Sequence, residues 1–211
     1  MQIVLNSILP TYISKDEVKR SELFLNNNIK LERSKKYLIN ANSGYGKTSL
    51  LNLIFGLNKS YTGEILYDGI KLQQRQVQNL RRNIISYVFQ DFKLFPNLSV
   101  IDNILLKNNL TNHKTSSQIL EMLQYCGILE QKNKLVKNLS RGQKQRLAII
   151  RSLCQPFNLL LLDEPFSHLD STNTTKVVEL INSELKNKSA SMIITDLENN
   201  SLFDYDKTFN L

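Results

Sequence analysis

The sequence predicts an α/β fold with a mostly parallel core sheet, a small antiparallel β region and an inserted helical subdomain. Three observations predict it. An apolar run at 37–39 leads through a glycine-rich loop into a helix that begins near Lys47. A continuous apolar run at 157–162 is typical of a strand buried on both faces of a parallel sheet. Between them, the mostly polar segment 99–139 has helical spacing.

The remaining elements follow from local signals. Residues 2–5 are expected to form a short strand, and residues 11–28 turns and ragged strand. Residues 61–70 predict a hairpin strand that turns at an Asp-Gly pair. Two more strands are predicted at 84–89 and 191–195, the latter as the last strand, and two more helices at 142–154 and 172–187.

The length favours one domain over the whole chain, 1–211, with the helical subdomain inserted at about 92–150. The composition is 41% hydrophobic and 22% charged, which excludes a disordered or collagen-like chain. Two cysteines are too few for a disulfide framework.

Lys and Arg number 27 and Asp and Glu 19, so the net charge is +8. That excess favours polyanionic partners such as nucleotides, nucleic acid or an anionic membrane surface, and solvated lysines are the alternative explanation. No apolar run approaches the roughly 18 residues that a membrane-spanning helix needs, and the N-terminus lacks the features of a signal peptide. We expect a cytosolic protein, or one docked on the cytosolic face of a larger assembly.

The segment Gly44-Tyr45-Gly46-Lys47-Thr48 has the form of a phosphate-binding P-loop. Glycines let backbone N–H groups converge on phosphate oxygens, and Lys47 adds a full positive charge where the helix starts. Thr48 is expected to ligate Mg²⁺. Ala41 stands where the motif has its first glycine, which restricts the backbone there. A glycine turn before a basic helix, without phosphate, is the alternative.

Asp163 and Glu164 follow the apolar run at the exit of a buried strand. In open α/β sheets, ligands bind at the carboxyl ends of the strands. Asp163 is therefore expected to hold Mg²⁺, directly or through water, and Glu164 to orient and polarise an attacking water. A pair of solvated acids at a strand end is the alternative.

Beside these motifs, residues 139–146 read L-S-R-G-Q-K-Q-R, which is similar to the signature L-S-G-G-Q-x-Q-R of ATP-binding cassette (ABC) nucleotide-binding domains. Residues 167–170 resemble the D-loop of that family, Phe89-Gln90 its Q-loop, and Tyr12 the aromatic residue that stacks on adenine. These motifs occur in family order over nearly the whole chain. The chain therefore resembles an ABC ATPase, which implies a P-loop NTPase of ABC ATPase architecture. Residues 80–104 are further similar to the subgroup of macrolide-exporter, lipoprotein-release and cell-division ATPases.

The resemblance implies ATP and Mg²⁺ as cofactors, and a head-to-tail dimer that sandwiches two ATP molecules. The implied catalytic residues are Glu164, Gln90 and Asp196, and the implied metal ligands are Thr48, Gln90 and Asp163. The implied cofactor-binding residues are Tyr12, Asn42, Ser43, Gly44, Tyr45, Gly46, Lys47, Thr48, Ser49, Ser140, Arg141, Gly142 and Gln143. Across the dimer, the P-loop, Gln90 and the two acids would face Ser140, Gly142 and Gln143 of the second chain.

Besides Ala41, two further departures from the family pattern bear on hydrolysis. Asp196 occupies the position of the family's switch histidine, and a carboxylate donates to a phosphate only when protonated. Arg141 replaces a signature glycine, and its charge favours phosphate whereas its bulk crowds the interface. Three outcomes stay open: slow turnover, a different ABC subunit that supplies one competent site, or ATP-driven switching with negligible hydrolysis.

The leading functional expectation is the ATP-hydrolysing subunit of an ABC transporter, which powers a separate transmembrane permease subunit and pairs with a second ABC ATPase domain. It would be cytoplasmic and peripheral on the inner face of the cell membrane. The alternative is a regulatory ATP-binding module that signals to a membrane partner with weak or no hydrolysis. A nucleic-acid machine fits poorly on length, cysteine count and heptads, so no nucleic-acid partner is expected.

Overall fold

The structure, a computed structural model, describes residues 1–12, 21–25, 28–40, 46–197 and 201–210. Its strands in these residues are β1 (Ile3–Pro10), β2 (Asn28–Leu31), β3 (Lys36–Asn40), β4 (Tyr61–Tyr67), β5 (Ile70–Lys71), β6 (Ile85–Val88), β7 (Leu159–Asp163), β8 (Ser191–Asp196) and β9 (Lys207–Asn210). Its α-helices are α1 (Glu22–Leu25), α2 (Lys47–Ile54), α3 (Gln74–Asn79), α4 (Val100–Asn108), α5 (Ser116–Tyr125), α6 (Arg141–Leu153) and α7 (Ser171–Lys188). A π-helical turn spans Leu80–Ile84, and 3₁₀ turns span Leu129–Gln131 and Val136–Asn138.

Two sheets build the fold. The larger has five parallel strands in the order β6-β7-β8-β3-β9, and the smaller has four antiparallel strands in the order β2-β1-β4-β5. The predicted parallel core sheet and small antiparallel region are therefore confirmed. So is the predicted hairpin, which turns at Asp68-Gly69 between β4 and β5.

The parallel sheet is buried on both faces. Along β7, Leu160 and Leu162 contribute to one hydrophobic cluster, whereas Leu159 and Leu161 contribute to the other. Successive strand side chains point to opposite faces, so an unbroken leucine run serves both layers at once. This arrangement explains why the strand lacks the polar alternation of a half-exposed one.

The first strand is longer than the four residues predicted. It runs to Pro10 through an irregularity between Asn6 and Leu9, where Ser7 has φ 48°. Gly63 of β4 faces this bulge with φ 85°, and a Cβ there would lie 2.3 Å from the carbonyl oxygens of Asn6 and Ser7. Only glycine fits this approach, and the bulge lets β1 continue along β4.

The segment between β6 and β7 is helical, with α4, α5 and α6 packed on the first hydrophobic cluster. The fully buried Asn103 fixes the turn before α4, because its side chain accepts from the N–H of Phe95 at 2.8 Å and donates to the carbonyl of Ser99 at 2.9 Å. The turn before α4 thereby holds the start of this helical segment against the core.

The structure also adds elements that local signals missed. The predicted strand at 191–195 is not the last, because β9 follows it and pairs with β3 at the edge of the parallel sheet. Only Phe209 of β9 is buried, so its sequence carries no apolar run. Residues 13–20 and 26–27 of the segment expected to hold turns and ragged strand lie outside the described residues, while 22–25 form a short helix. No helix in the described ranges is long and apolar enough to cross a membrane.

Candidate functional site

The carboxyl ends of the parallel strands bring the predicted acids to one edge of the sheet. Asp163, which ends β7, pairs in register with Thr195 of β8, and Asp196 pairs with Asn40, which ends β3. Asn40, which lies beside Asp196, immediately precedes the P-loop segment in the sequence. In open α/β sheets this edge is where ligands bind.

Thr48 and Asp163 meet although 115 residues separate them in sequence. The Thr48 hydroxyl donates to Asp163 Oδ2 at 2.7 Å. The hydroxyl of Thr195 donates to the other oxygen, Oδ1, also at 2.7 Å, and the phenol of Tyr87 to Oδ2 at 3.3 Å. Both oxygens of Asp163 are therefore held in fixed directions by hydroxyl groups.

The Asp163 carboxyl is only 1% exposed. Burial raises its pKa above the usual value, and the neighbouring Glu164 charge adds to the rise, whereas the hydrogen bonds from Thr48 and Thr195 oppose it. A buried carboxylate without a counter-charge is unfavourable in free energy. A bound cation would stabilise it.

Glu164 links two further predicted residues. One of its carboxylate oxygens lies 3.2 Å from Lys47 Nζ, and the other accepts from Gln90 Nε2 at 2.9 Å. The side chains of Lys47 and Glu164 are 5% and 13% exposed. Glu164 also has φ 47°, a left-handed conformation that few non-glycine residues adopt and that is common at functional sites. Its backbone N–H donates to the carbonyl oxygen of Thr195 at 3.1 Å, which fixes this bend.

The signature-like segment forms the start of α6. Ser140 Oγ accepts from the N–H of Gln143 at 3.2 Å, and the Gln143 side chain accepts from the N–H of Ser140 at 3.0 Å, so the two residues form a capping box. A Cβ at Gly142 would lie 2.9 Å from the carbonyl oxygen of His168, and so the helix start and the D-loop-like segment are in close contact.

An open cleft of about 900 Å³ joins these parts of the site. Its lining includes Thr48, Gln90 and Asp163 together with Arg141, Lys144 and His168. The predicted P-loop helix, the predicted Q-loop, Asp163 of the acidic pair and the signature segment thus border a single space.

Some predicted site residues are not placed in this cleft. Asn42, Ser43, Gly44 and Tyr45, together with Ala41, lie outside the described residues. Gly46 caps the start of α2 with φ 90°, and Ser49 lies within that helix. Tyr12 is 53% exposed after the end of β1 and accepts a hydrogen bond from Asn58 Nδ2 at 3.3 Å. It does not line the cleft.

Three residues of the site were missed by sequence reasoning. Tyr87 and Thr195 hold Asp163, and their only signal was a polar group inside a strand that reads as buried. Gln145, which is 1% exposed, donates to the carbonyl oxygen of Glu164 at 3.3 Å and accepts from the N–H of His168 at 2.9 Å. It connects α6 directly to the acidic pair.

The residues present fit a magnesium ion. Mg²⁺ prefers oxygen ligands and is usually held by one or two carboxylates together with substrate phosphates. The Thr48 hydroxyl and the Asp163 carboxylate supply such oxygens side by side. In the described part of the chain no group of three or more His, Cys, Asp or Glu could hold a metal, so phosphate and water oxygens would complete the shell.

Known proteins share this sequence and fold. The family model described as ABC transporter matches residues 24–167. A putative hemin import ATP-binding protein HrtA of Staphylococcus epidermidis is 33% identical over 97% of this chain and 93% of its own length. The uncharacterized ABC transporter ATP-binding protein YclH of Bacillus subtilis is 36% identical over 83% of this chain and 79% of its own.

A solved structure agrees with these relatives. The chain matches the dimeric structure of MJ0796, a bacterial ABC transporter cassette, with a TM-score of 0.79 at 27% identity, covering 93% of this chain and 88% of that one. A second state of the same cassette, bound to ADP and phosphate after hydrolysis, gives a TM-score of 0.76. The expectation from the sequence motifs is confirmed: this chain belongs to the ABC transporter family, as an ATP-binding nucleotide-binding domain.

Proposed function

We propose that the chain binds and hydrolyses ATP and, through ATP-driven dimerisation, powers a separate membrane subunit. The observation that carries the proposal is the Glu164 carboxylate held between Lys47 Nζ at 3.2 Å and Gln90 Nε2 at 2.9 Å, beside the Thr48–Asp163 pair. The site thus places a cation, an amide and a carboxylate close together. Such a set of groups is suited to binding a terminal phosphate and the water that attacks it.

Each side chain has a distinct task in this reaction. Lys47 exchanges its contact with Glu164 for phosphate oxygens when ATP binds, while the backbone of 42–46 and Ser49 add donors. Thr48, Asp163 and Gln90 would hold Mg²⁺, which supplies charge neutralisation on the phosphates. Glu164, released from Lys47, accepts a hydrogen bond from the attacking water and orients it. Tyr12 is proposed to stack on adenine, which its exposure permits.

The reaction consumes one water. Its oxygen forms a bond to the γ-phosphorus as the bond to the β–γ bridging oxygen breaks, and the electron pair leaves with ADP. The proton of the water is released to solvent with inorganic phosphate as the second product. The bend at Glu164 and the hydrogen bond from its backbone N–H to Thr195 hold the backbone from which the carboxylate projects.

We propose two partners. One is a second ABC ATPase domain, placed head to tail so that Ser140, Arg141, Gly142 and Gln143 of one copy face the P-loop of the other; the dimeric cassette structure supports it. The other is a transmembrane permease subunit, which the import-type relatives support. The helical segment at about 92–150 is proposed as the subdomain that couples the two. The chain would then be cytoplasmic and peripheral on the inner face of the membrane, with no nucleic-acid partner.

A regulatory module with weak or no hydrolysis is the second candidate. The observation that favours it is the carboxylate of Asp196 at the end of β8, in register with Asn40 at the entry to the P-loop segment. An anion there opposes the approach of the terminal phosphate and does not donate to it.

Steady-state ATP hydrolysis by the purified chain tests the proposal, with Glu164→Gln and Asp196→His alongside. We expect turnover in the unmodified chain that Glu164→Gln lowers by at least about 100-fold, because the attacking water loses its acceptor. ATP binding by Glu164→Gln, measured with a fluorescent ATP analogue, should persist.

Retained ATP binding with negligible turnover in the unmodified chain would contradict hydrolysis and support the regulatory module. A gain of turnover in Asp196→His would then attribute the defect to that carboxylate. Absence of ATP binding would contradict both candidates.

A further inference from the structure

A second cavity lies between the end of α2, strand β4 and helix α3. Its volume is about 400 Å³, which is within the range of small-molecule sites in proteins. It shares no described lining residue with the cleft that Thr48 and Asp163 line. The proposed ATP chemistry therefore gives this second cavity no task.

The inner lining of the second cavity is apolar. Leu53 of α2, Ile65 of β4 and Leu80 are at most 3% exposed, and all three line the space. The half-buried side chains of Leu72 and Val77 add to this lining. Apolar surface that a ligand covers is removed from water, which favours binding of a hydrocarbon or aromatic body.

Hydrogen bonds hold the walls of the second cavity together. The Tyr67 hydroxyl donates to the carbonyl oxygen of Ile54 at 2.6 Å, and Arg81 Nη2 donates to the carbonyl oxygen of Gly56 at 2.5 Å. A Cβ at Gly56 would lie 3.1 Å from Val77 Cγ1, so the end of α2 and helix α3 are in close contact. Because the walls are formed without a ligand, binding loses little conformational entropy in the protein.

The exposed part of the lining carries positive charge. Lys59 and Lys71 are exposed, and the described lining contains no carboxylate. Lys71 Nζ lies 3.7 Å from Glu64, whereas no carboxylate in the described ranges lies within ion-pair distance of Lys59. Tyr61, whose backbone N–H donates to the carbonyl oxygen of Lys59 at 3.0 Å, adds a phenol to the lining.

We infer that the second cavity binds a small organic carboxylate with an apolar body. The carboxylate pairs with Lys59 and accepts a hydrogen bond from the Tyr61 hydroxyl, while the body packs on the apolar lining. A purely apolar ligand leaves the charge of Lys59 unused, and a free inorganic anion leaves the apolar lining in contact with water. The two features together favour a ligand that has both parts.

The second cavity adjoins the proposed adenine position but does not include it. Asn58 lines the cavity, and its Nδ2 donates to the hydroxyl of Tyr12 at 3.3 Å. Tyr12 is not part of the lining. An aromatic anion that stacks on Tyr12 depends on that ring, whereas one held in the cavity depends on Lys59, so substitutions separate the two positions.

A titration of the nucleotide-free full chain with naphthaleneacetate tests the inference, with naphthaleneacetamide as the uncharged probe of the same shape. Dissociation constants are measured by ligand-observed NMR. We expect one-site binding of naphthaleneacetate at about 1 mM or tighter, the affinity usual for a ligand of this size. The amide should bind at least about fivefold more weakly, because it lacks the charge that Lys59 recognises.

Lys59→Ala should raise the dissociation constant of naphthaleneacetate by about fivefold or more and that of the amide by less than about twofold. Lys30→Ala is the matched control, because Lys30 is exposed on β2 of the same antiparallel sheet and does not line the cavity. It should leave both dissociation constants within about twofold of those of the unmodified chain.

Val77→Phe tests the apolar part of the site. The larger side chain takes up space in the cavity and should raise the dissociation constants of both probes by about fivefold or more. Circular dichroism shows whether this variant folds. Lys59→Ala changes an exposed side chain, so the test of the charged part does not depend on that outcome.

Three results would overturn the inference. The first is no saturable binding of naphthaleneacetate by the unmodified chain. The second is an equal loss of affinity in Lys59→Ala and Lys30→Ala, which would attribute binding to overall charge. The third is a loss in Tyr12→Ala as large as that in Lys59→Ala, which would place the probe at the proposed adenine position. No measurement here uses ATP, so failure of the inference and failure of the proposed function are distinguishable.

Discussion

Asp163 shows how one residue serves conflicting demands. Its carboxylate is buried to 1% exposure, yet its proposed role requires a negative charge. Hydroxyl groups of Thr48, Thr195 and Tyr87 stabilise that charge in part, and burial still raises its pKa. The chain therefore keeps a group that destabilises the empty fold at neutral pH, and a bound cation would relieve the cost.

Asp163→Asn should consequently stabilise the nucleotide-free protein at pH 7 while it abolishes hydrolysis. Since the folded-state pKa is raised, the native carboxyl loses stability as pH rises through that pKa, and the penalty vanishes below the unfolded value of about 3.9. Thermal unfolding followed at pH 7, 5 and 4 measures it. The melting temperature of the variant should exceed that of the native chain at pH 7, and the gap should shrink with acid; a pH-independent gap would contradict the assignment.

At the scale of elements, an ion cluster ties the loop between α4 and α5 to the end of α7. Glu184, 6% exposed, lies 2.5 Å from Lys114 Nζ and also contacts Lys188 one turn away. The side chain of Asn108 holds the backbone of Lys114 through two hydrogen bonds of 2.8 and 3.0 Å. These contacts hold the loop between α4 and α5 against the end of α7.

Glu184→Gln should lower the free energy of unfolding by about 3–5 kcal/mol, because it leaves two half-buried lysines without a counter-charge. Burial raises the pKa of Glu184, but the hydrogen bonds from Lys114 and Lys188 outweigh it and the pKa is lowered. The stabilisation is therefore present above the unfolded pKa of about 4.3 and is lost as pH falls through the folded value.

Urea unfolding at pH 7 and pH 4 measures this difference, which should shrink in acid. Glu179→Gln is the control, because Glu179 is an exposed carboxylate on the same helix. It should cost less than about 1 kcal/mol. An equal loss from both substitutions would show that the Glu184 contacts add no stability.

At the scale of the whole molecule, the parallel sheet makes two hydrophobic clusters into one cooperative unit. Both clusters contain residues of β7, so neither layer can open without disturbing the strand that the other shares. The buried tyrosines Tyr37, Tyr67 and Tyr87 all belong to the second cluster, so their individual side-chain NMR signals report on that face.

Leu160→Ala should destabilise the protein by about 2–5 kcal/mol by leaving a cavity in the first cluster. Although the change lies on the opposite face, the urea transition of the NMR signals of Tyr37, Tyr67 and Tyr87 should shift together with the circular dichroism transition of the helices. Leu161→Ala, on the tyrosine face, is the matched control and should shift both by a similar amount. Separate transitions would indicate that the two layers unfold independently.

The sequence by itself determined the elements whose signals are local. The leucine run of β7, the Asp-Gly turn and the glycine-rich entry to α2 each follow from residues within a few positions of one another. Local motifs predicted Thr48, Asp163 and Glu164 as site residues, and the family resemblance added Gln90. Strand β9 could not be found in this way, because its one buried residue, Phe209, is buried by parts of the chain far away in sequence, such as β3.

The tertiary structure decided which distant groups meet. Thr195 and Tyr87 look like ordinary polar residues in buried strands, and only the parallel register of β6, β7 and β8 brings their hydroxyls to Asp163. Gln145 likewise connects α6 to Glu164, and no single sequence motif contains both residues. Local propensity acts over one turn or one strand, whereas a binding site at a sheet edge is made by the alignment of strands far apart in the chain, and that alignment exists only in the folded protein.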